Sequence, residues 1–166
     1  MFSTPIMTAA LSHLERVRPN GMTEMAKGTK DSNAVLWAGM GNEAELESMV
    51  ATGADVVKII KPYSDNSIIY RQLEHAEKCG VLAVGMDVDH AFNKKGEYDN
   101  VVGAQMSPKT LSEIKSFVEA TKLPFIIKGV LVRGIPINAG GWCQRHFGLT
   151  PPWHTGLCSS SAHDIT

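Results

Sequence analysis

The sequence is poor in cysteine, in aromatic residues and in unbalanced charge, and these shortages exclude several classes of protein. Its three cysteines form an odd count without a CxxC pair, which argues against a disulfide framework and against a zinc site. The net charge of −1 provides no basic excess for binding nucleic acid. No apolar run approaches the ~18 residues of a membrane span, and the amino terminus has no apolar leader. We therefore expect a cytoplasmic protein without a nucleic-acid or membrane partner.

Familiar catalytic and metal-binding motifs are also missing. The sequence contains no GxGxxG, Walker or GxSxG motif, so neither a nucleotide-binding loop nor a serine hydrolase is predicted. Asp87, Asp89 and His90 stand close together in MDVDH, but no other residues complete a coordination set around them. His13 and His75 have the surroundings of ordinary helix histidines. We therefore predict no metal site.

Short apolar runs alternate with amphipathic segments along the first part of the chain, which is typical of βα units with a parallel sheet. The runs cover residues 5–9, 34–38, 56–60, 82–86 and 124–130. Asn42 predicts the start of a helix that Gly53 closes, a second helix is expected over residues 64–78, and Ser107-Pro108 predicts the start of a third. At 166 residues the chain is too short for an eight-unit barrel of about 250 residues.

Two segments depart from this alternation. Residues 87–106 form a connection of about twenty residues after the fourth apolar run, longer than ordinary loops, and it is either a solvated insertion or a substrate loop. From Val132 onward glycines, prolines and serines are scattered without helical or strand periodicity. We predict two regions: an α/β region over residues 1–131 and an irregular, disordered tail over residues 132–166.

Two lysines in apolar runs are candidates for binding an anion or an electron-rich ring. Lys128 lies in PFIIKGV, and Lys58 lies in VVKIIKPY with Lys61 just beyond it. A buried ammonium group without a partner costs several kcal/mol, so each of these lysines should meet a carboxylate, an anion or a cofactor. The alternative is a lysine at a strand end whose ammonium group extends to solvent.

Three segments of the chain together resemble one enzyme family. They are TPIMTAALSH, RQLEHAEKCGVLAVGMDVD and SPKTLSEIKSFVEATKLPFIIKGVL, in this order. They are similar to the FMN-dependent 2-hydroxy acid oxidases and dehydrogenases, which include lactate and glycolate oxidases. The resemblance implies a partial TIM (β/α)8 barrel of about five βα units. It also implies FMN as cofactor and oxidation of the CH–OH group of a small 2-hydroxy acid such as lactate or glycolate.

The resemblance also implies roles for individual residues in binding the cofactor. Lys128 corresponds to a lysine that faces the pyrimidine edge of the flavin, where a positive charge stabilises the anionic reduced ring. Ile6 and Met7 fall where the backbone of the first strand contacts the ring system. Lys58 takes the place of a glutamine and Asp87 that of a threonine, so both replace neutral hydrogen-bonding groups with charged ones.

The family's catalytic segment does not follow Lys128 in this sequence. A histidine base and a substrate-binding arginine are expected in a segment resembling SHHHGR, and His146 in QRHFG lacks these surroundings. We therefore assign no catalytic residue and expect weak or no turnover. The abrupt change after Leu131 suggests a frameshift, and the start at Met1 suggests a truncated barrel.

Two other functions fit the same residues. The chain is alternatively an inactive barrel fragment that associates through its open sheet edge, for example as a homo-oligomer, because unpaired strand edges favour assembly. It is otherwise another flavin-dependent TIM-barrel enzyme, since the fold alone does not determine the reaction.

Overall fold

A parallel sheet of four strands forms the centre of the computed structural model, which describes residues 4–130. Its strands are β1 (Val35–Ala38), β2 (Asp55–Ile60), β3 (Ala83–Asp87) and β6 (Phe125–Lys128). Two further short strands, β4 (Asn100–Val101) and β5 (Ala104–Gln105), pair with each other. The helices are α1 (Gly21–Asp31), α2 (Glu43–Val50), α3 (Asn66–Cys79) and α4 (Leu111–Glu119), with short 3-10 helices at Leu14–Arg16 and Val88–Ala91. The sheet has the order β1-β2-β3-β6, and every neighbouring pair is parallel. The predicted α/β fold is confirmed.

The predicted first strand, at residues 5–9, is reduced to single bridges beside β1. Met7 pairs with Val35 and Leu11 with Ala38, both in the parallel direction. Side-chain hydroxyl groups replace part of the backbone ladder, because the Trp37 amide donates to Thr8 Oγ1 at 2.9 Å. This side-chain bond, between residues 29 positions apart, takes the place of a backbone bond between the two segments. The segment therefore follows the edge of the sheet without forming a continuous strand.

Helix ends follow the capping chemistry of the sequence, with one correction. Asn42 caps α2 by accepting a hydrogen bond from the Glu45 amide at 2.8 Å, as predicted, and α3 ends at Gly80, whose φ is 73°. The helix predicted to start at Ser107-Pro108 starts later, because Thr110 is its N-cap and forms a capping box with Glu113. The Thr110 side chain accepts a hydrogen bond from the Glu113 amide, and the Glu113 side chain accepts one from the Thr110 amide. These two bonds fix the start of the helix at Thr110.

The two faces of the sheet have different environments. One face carries the apolar cluster of Val35, Val57, Ile59 and Ala83, against which Ala10, Trp37, Leu82 and Ile126 pack. We call this the inner face. Residues that alternate with these along the strands, such as Leu36, Val56 and Val84, are fully buried on the opposite face, which the helices cover. An apolar inner face and a helix-covered outer face are the layers of a barrel wall.

The long connection after β3 is largely ordered. It begins with the 3-10 helix Val88–Ala91, and β4 and β5 form an antiparallel ribbon whose turn residues Val102 and Gly103 both have positive φ. Met106 then returns the chain to the core with no exposed surface. Its assignment as a solvated insertion or a substrate loop stays a prediction.

Two expectations remain, one about the tail of the chain and one about its location. The irregular tail predicted over residues 132–166, and the frameshift suggested there, lie outside the described residues. Over residues 4–130, none of the helices has both the length and the apolar character needed to cross a membrane. The cytoplasmic location stays a prediction.

Candidate functional site

Charged side chains meet at the carboxyl end of the sheet. Asp87 is the last residue of β3 and lies directly opposite Lys128 of β6 in the parallel register. Lys128 Nζ donates to Asp87 Oδ1 at 2.7 Å, and Lys61 Nζ donates to Asp87 Oδ2 at 2.6 Å. We call Lys61, Asp87 and Lys128 the lysine–aspartate cluster. Both oxygens of one carboxylate are thus each bonded to a lysine.

Asp87 and Lys61 are much more deeply buried than Lys128. The exposed fractions of their side chains are 8% for Asp87, 10% for Lys61 and 42% for Lys128. Lys61 is therefore an internal partner of the carboxylate, and Lys128 is the group of the cluster that can also contact a ligand. The two ammonium groups face the Asp87 carboxylate, and the nearby Asp89 carboxylate also attracts Lys128.

Asp89 extends the cluster and shares a hydrogen bond with Asp87. Burial raises the pKa of Asp87, but the hydrogen bonds with Asp89, Lys128 and Lys61 outweigh it and hold that pKa well below its usual range. The bond to Asp87, together with burial, raises the pKa of Asp89. Gly129, with a φ of 87°, makes room for Asp89, because a Cβ at this position would overlap the Asp89 carboxylate. The hydrogen bond to Asp87 also raises the pKa of Lys128, which keeps this lysine charged.

Lys58 lies apart from the cluster, on the helix-covered face of the sheet. Lys58 is paired with Ala38 of β1 and with Val84 of β3. Asp87 is three residues beyond Val84 and is paired with Lys128, so the side chains of Asp87 and Lys128 point to the opposite face of the sheet. The Lys58 side chain is buried, and Nζ donates to the Gly39 carbonyl oxygen. Burial lowers the pKa of Lys58 to about 8, and the Glu45 carboxylate only partly opposes this effect. The structure therefore does not bring Lys58 together with Lys128 and Asp87, and its contact with a flavin stays a prediction.

Ile6 and Met7 lie at the other side of the sheet, next to β1. Their exposed fractions are 68% and 55%, so both offer apolar surface to a ligand. Met7 Sδ accepts a hydrogen bond from Trp37 Nε1 at 3.1 Å, which ties the segment to β1. The described sheet thus carries an exposed cation near one edge and exposed apolar residues near the other.

Sequence reasoning missed the role of Lys61. The signal was present, because Lys61 is two residues beyond Ile59 and therefore in the same strand phase as the inner-face residues Val57 and Ile59. Lys58 is three residues away from Lys61, an odd separation that places it in the opposite phase. The alternation of side chains along β2 would have favoured Lys61 as the partner of Asp87.

The residues present fit the flavin that the sequence resemblance implies. A flavin mononucleotide combines a flat, largely apolar ring with an electron-rich pyrimidine edge. The partly exposed ammonium group of Lys128 suits that edge, and the exposed segment at Ile6 and Met7 suits the ring. Lys128 lies at the carboxyl end of the sheet, in the same strand phase as the inner-face residue Ile126, and barrel enzymes bind ligands at this end.

Comparison with solved structures supports the barrel fold. A mandelate oxidase structure is 16% identical, covers 79% of this chain and 44% of its own, and has a TM-score of 0.66. A mandelate oxidase mutant with the monooxide FMN adduct is 21% identical over 79% of this chain and 41% of its own, with a TM-score of 0.68. The chain therefore spans less than half of the length of these proteins. At these identities the likeness establishes a partial TIM barrel and not an activity.

Comparison with family models gives the stronger result. Curated proteins give no significant match. The model of the FMN-dependent dehydrogenases matches residues 1–113, which is more than half of the chain. The match includes Asp87 and Lys61 and stops before Lys128. With the parallel sheet and its charged carboxyl edge, this match shows that the chain belongs to the FMN-dependent dehydrogenase family, whose cofactor is FMN.

Proposed function

We propose that this chain acts as an FMN-dependent oxidoreductase on the CH–OH group of a small 2-hydroxy acid such as lactate or glycolate, with impaired turnover. The observation that carries the proposal is the exposed ammonium group of Lys128, which Asp87 holds at the carboxyl end of a parallel sheet. Ligands of α/β folds bind at this end of the strands. The family match supports the cofactor, and the geometry supports the residue that faces it.

Each residue of the site has a separate task in this proposal. Bound FMN would supply the electron acceptor for the hydride equivalent of the substrate carbon. Lys128 places a positive charge beside the pyrimidine edge, and Asp87 orients that ammonium group by a charge-assisted bond. Lys61 neutralises the second carboxylate oxygen from the protein interior. The backbone at Ile6 and Met7 contacts the ring.

The sequence limits what this chain does with the cofactor. No segment resembling SHHHGR follows Lys128, so the chain carries no assigned base for removing the substrate proton. We therefore expect FMN binding with weak or no turnover. Assays with lactate, glycolate and mandelate test this, since one of the similar structures is a mandelate oxidase mutant with (S)-mandelic acid. Rapid flavin reduction by any of them would contradict the expectation of weak turnover.

Titration of the purified chain with FMN tests the site itself. Bound flavin changes its visible absorption and fluorescence, and we expect saturable binding by the unaltered chain. Lys128→Met removes the only exposed ammonium group of the cluster, and we expect it to weaken binding about tenfold, the value of one hydrogen bond to a charged group. Lys122→Met is the matched control, because Lys122 is an exposed lysine just before the same strand.

Two results would overturn the proposal. One is a folded chain that does not bind FMN. The other is equal FMN affinity of the Lys128→Met and Lys122→Met variants, which would place the cofactor elsewhere. Flavin binding that depends on Lys128 but is not followed by reduction with any hydroxy acid would favour another flavin-dependent TIM-barrel enzyme, and a screen of other substrates would then follow.

A further inference from the structure

We propose that Glu47, His75 and Cys79 form a Zn²⁺ site on the outer surface of the protein, between α2 and α3. Glu47 is on α2, and His75 and Cys79 are one turn apart on α3. Residues four positions apart project from the same face of a helix, which is a common spacing for two ligands of one metal ion. The site is separate from the lysine–aspartate cluster and does not depend on the function proposed above.

The three ligand atoms already have separations close to those around zinc. His75 Nε2 lies 3.1 Å from Glu47 Oε1 and 3.5 Å from Cys79 Sγ, and all three atoms lie within 4.8 Å of one another. Zinc bonds of about 2.05 Å to nitrogen, 2.1 Å to oxygen and 2.3 Å to sulfur at the tetrahedral angle imply N–O and N–S separations of about 3.4 and 3.6 Å. Cys79 Sγ also lies 3.8 Å from His75 Nδ1, so an ion fits after the imidazole ring turns to direct the Nε2 lone pair at it.

Each of the three donor types is one that zinc binds. Thiolate, imidazole and carboxylate groups are all ligands of zinc, and three protein ligands leave a fourth position for water. His75 and Glu43 also line a cavity of about 350 Å³ beside α2, which gives a fourth ligand room to enter. The side chain of Glu47 is 63% exposed, so a metal ion can reach the site from solvent.

The local charge favours a cation. Glu43 and Glu47 both belong to α2, and Glu43 lines the cavity together with His75. Their carboxylates give this part of the surface negative charge, which attracts a cation. The chain lacks the CxxC spacing of zinc ribbons, so the sequence alone argued against zinc. The structure assembles the site from two helices instead.

Zinc titration of the full chain against a chromophoric chelator tests the proposal. We expect one equivalent to bind tightly, and we expect His75→Ala and Cys79→Ser each to weaken binding at least about tenfold, since even outer-shell changes cost 10–100-fold. His90→Ala is the control for loss of a histidine elsewhere. The double variant Cys143→Ser/Cys158→Ser removes the other two thiols and should bind zinc as the unaltered chain does.

Cobalt gives a second readout that does not depend on a substituted chain staying folded. Co²⁺ in place of Zn²⁺ should produce a thiolate-to-cobalt charge-transfer band in the unaltered chain and in the double variant. Loss of that band in Cys79→Ser, with an unchanged far-ultraviolet circular dichroism spectrum, supports the site. Absence of zinc binding by the unaltered chain, or zinc affinities of Cys79→Ser and His75→Ala equal to that of the unaltered chain, would overturn it.

Discussion

Asp87 is the residue on which the lysine–aspartate cluster depends, because its two oxygens are bonded to two different lysines. Asp87→Asn removes the charge and leaves the buried Lys61 without its anionic partner. Breaking a buried ion pair from one side costs about 3–5 kcal/mol, and the exposed Lys128 adds little to this. We expect a loss of about 3 kcal/mol in the free energy of unfolding, measured by urea denaturation.

Asp31→Asn is the matched control for the Asp87 variant. Asp31 is exposed at the end of α1, and surface substitutions usually change stability by less than about 0.5 kcal/mol. Equal unfolding free energies for the two variants would show that the bonds between Asp87 and its lysines contribute nothing to stability.

Lys58 makes stability depend on pH in the alkaline range. Its pKa falls from 10.5 in an unfolded chain to about 8 in the folded protein. Between these pH values the unfolded chain binds a proton that the folded chain does not, so the unfolding free energy rises with pH, by up to about 3 kcal/mol. We expect this rise in the unaltered chain and in Lys122→Met, and its absence in Lys58→Met. Urea denaturation across the window measures it, and identical slopes in all three proteins would refute the shift.

The site was predictable from the sequence only in part. Lys128 was identified because it interrupts an apolar run, where a charge needs a partner, and Asp87 was identified through the family resemblance. That they bond to each other could not be read from the sequence, because it depends on the parallel register of β3 and β6. The metal site was missed for a related reason: Glu47 and His75 come together only when α2 and α3 pack side by side.

At the scale of single elements, α4 offers the clearest test of a local sequence signal. Thr110 Oγ1 accepts a hydrogen bond from the Glu113 amide at 3.2 Å, and Glu113 Oε2 accepts one from the Thr110 amide at 2.8 Å. Loss of a threonine cap costs about 1 kcal/mol. We expect Thr110→Ala to lower the unfolding free energy by that amount, and Lys115→Ala, on the exposed surface of the same helix, to change it little. A Thr110 variant as stable as the Lys115 variant would contradict the role of the cap.

The hydrogen bonds to the Glu113 carboxylate also make the free energy of unfolding depend on pH in acid. The hydrogen bond from Asn66, followed by those from Thr110, lowers the pKa of Glu113 to about 2. The stabilisation by this carboxylate is therefore complete above about pH 4.5 and is lost as the pH falls toward 2. The difference in stability between the unaltered chain and Thr110→Ala should accordingly shrink in this range.

The elements that could be predicted from the sequence are those with a strong apolar signal. The four strands of the central sheet and helices α2 and α3 agree with their predicted positions to within a few residues. Helix α1 was not predicted, because its buried face uses the small or polar residues Gly21, Ala26 and Thr29 beside Met22. Met22 is the only large apolar side chain among these buried residues, so the face carries no long apolar run, and the packing of α1 against β1 and α2 is a tertiary effect.

At the scale of the whole molecule, the described sheet is an open one. Within residues 4–130, β6 is paired on one side only, with β3, and the residues of the amino-terminal segment make only single bridges to β1. Closed barrels have no such edges. Open edges are ready templates for pairing with another chain, and natural proteins often protect them with charged residues such as lysine.

We therefore expect the purified chain to associate through the β6 edge, so that its mass by light scattering rises above 18.0 kDa with increasing concentration. Val130→Lys places a charge just beyond β6, where Val130 is 46% exposed, and should reduce association. Val17→Lys is the matched control, because Val17 is 84% exposed but lies far along the chain from β6, after the first 3-10 helix. A constant mass of 18.0 kDa at all concentrations, or equal effects of the two lysines, would show that this edge does not mediate assembly.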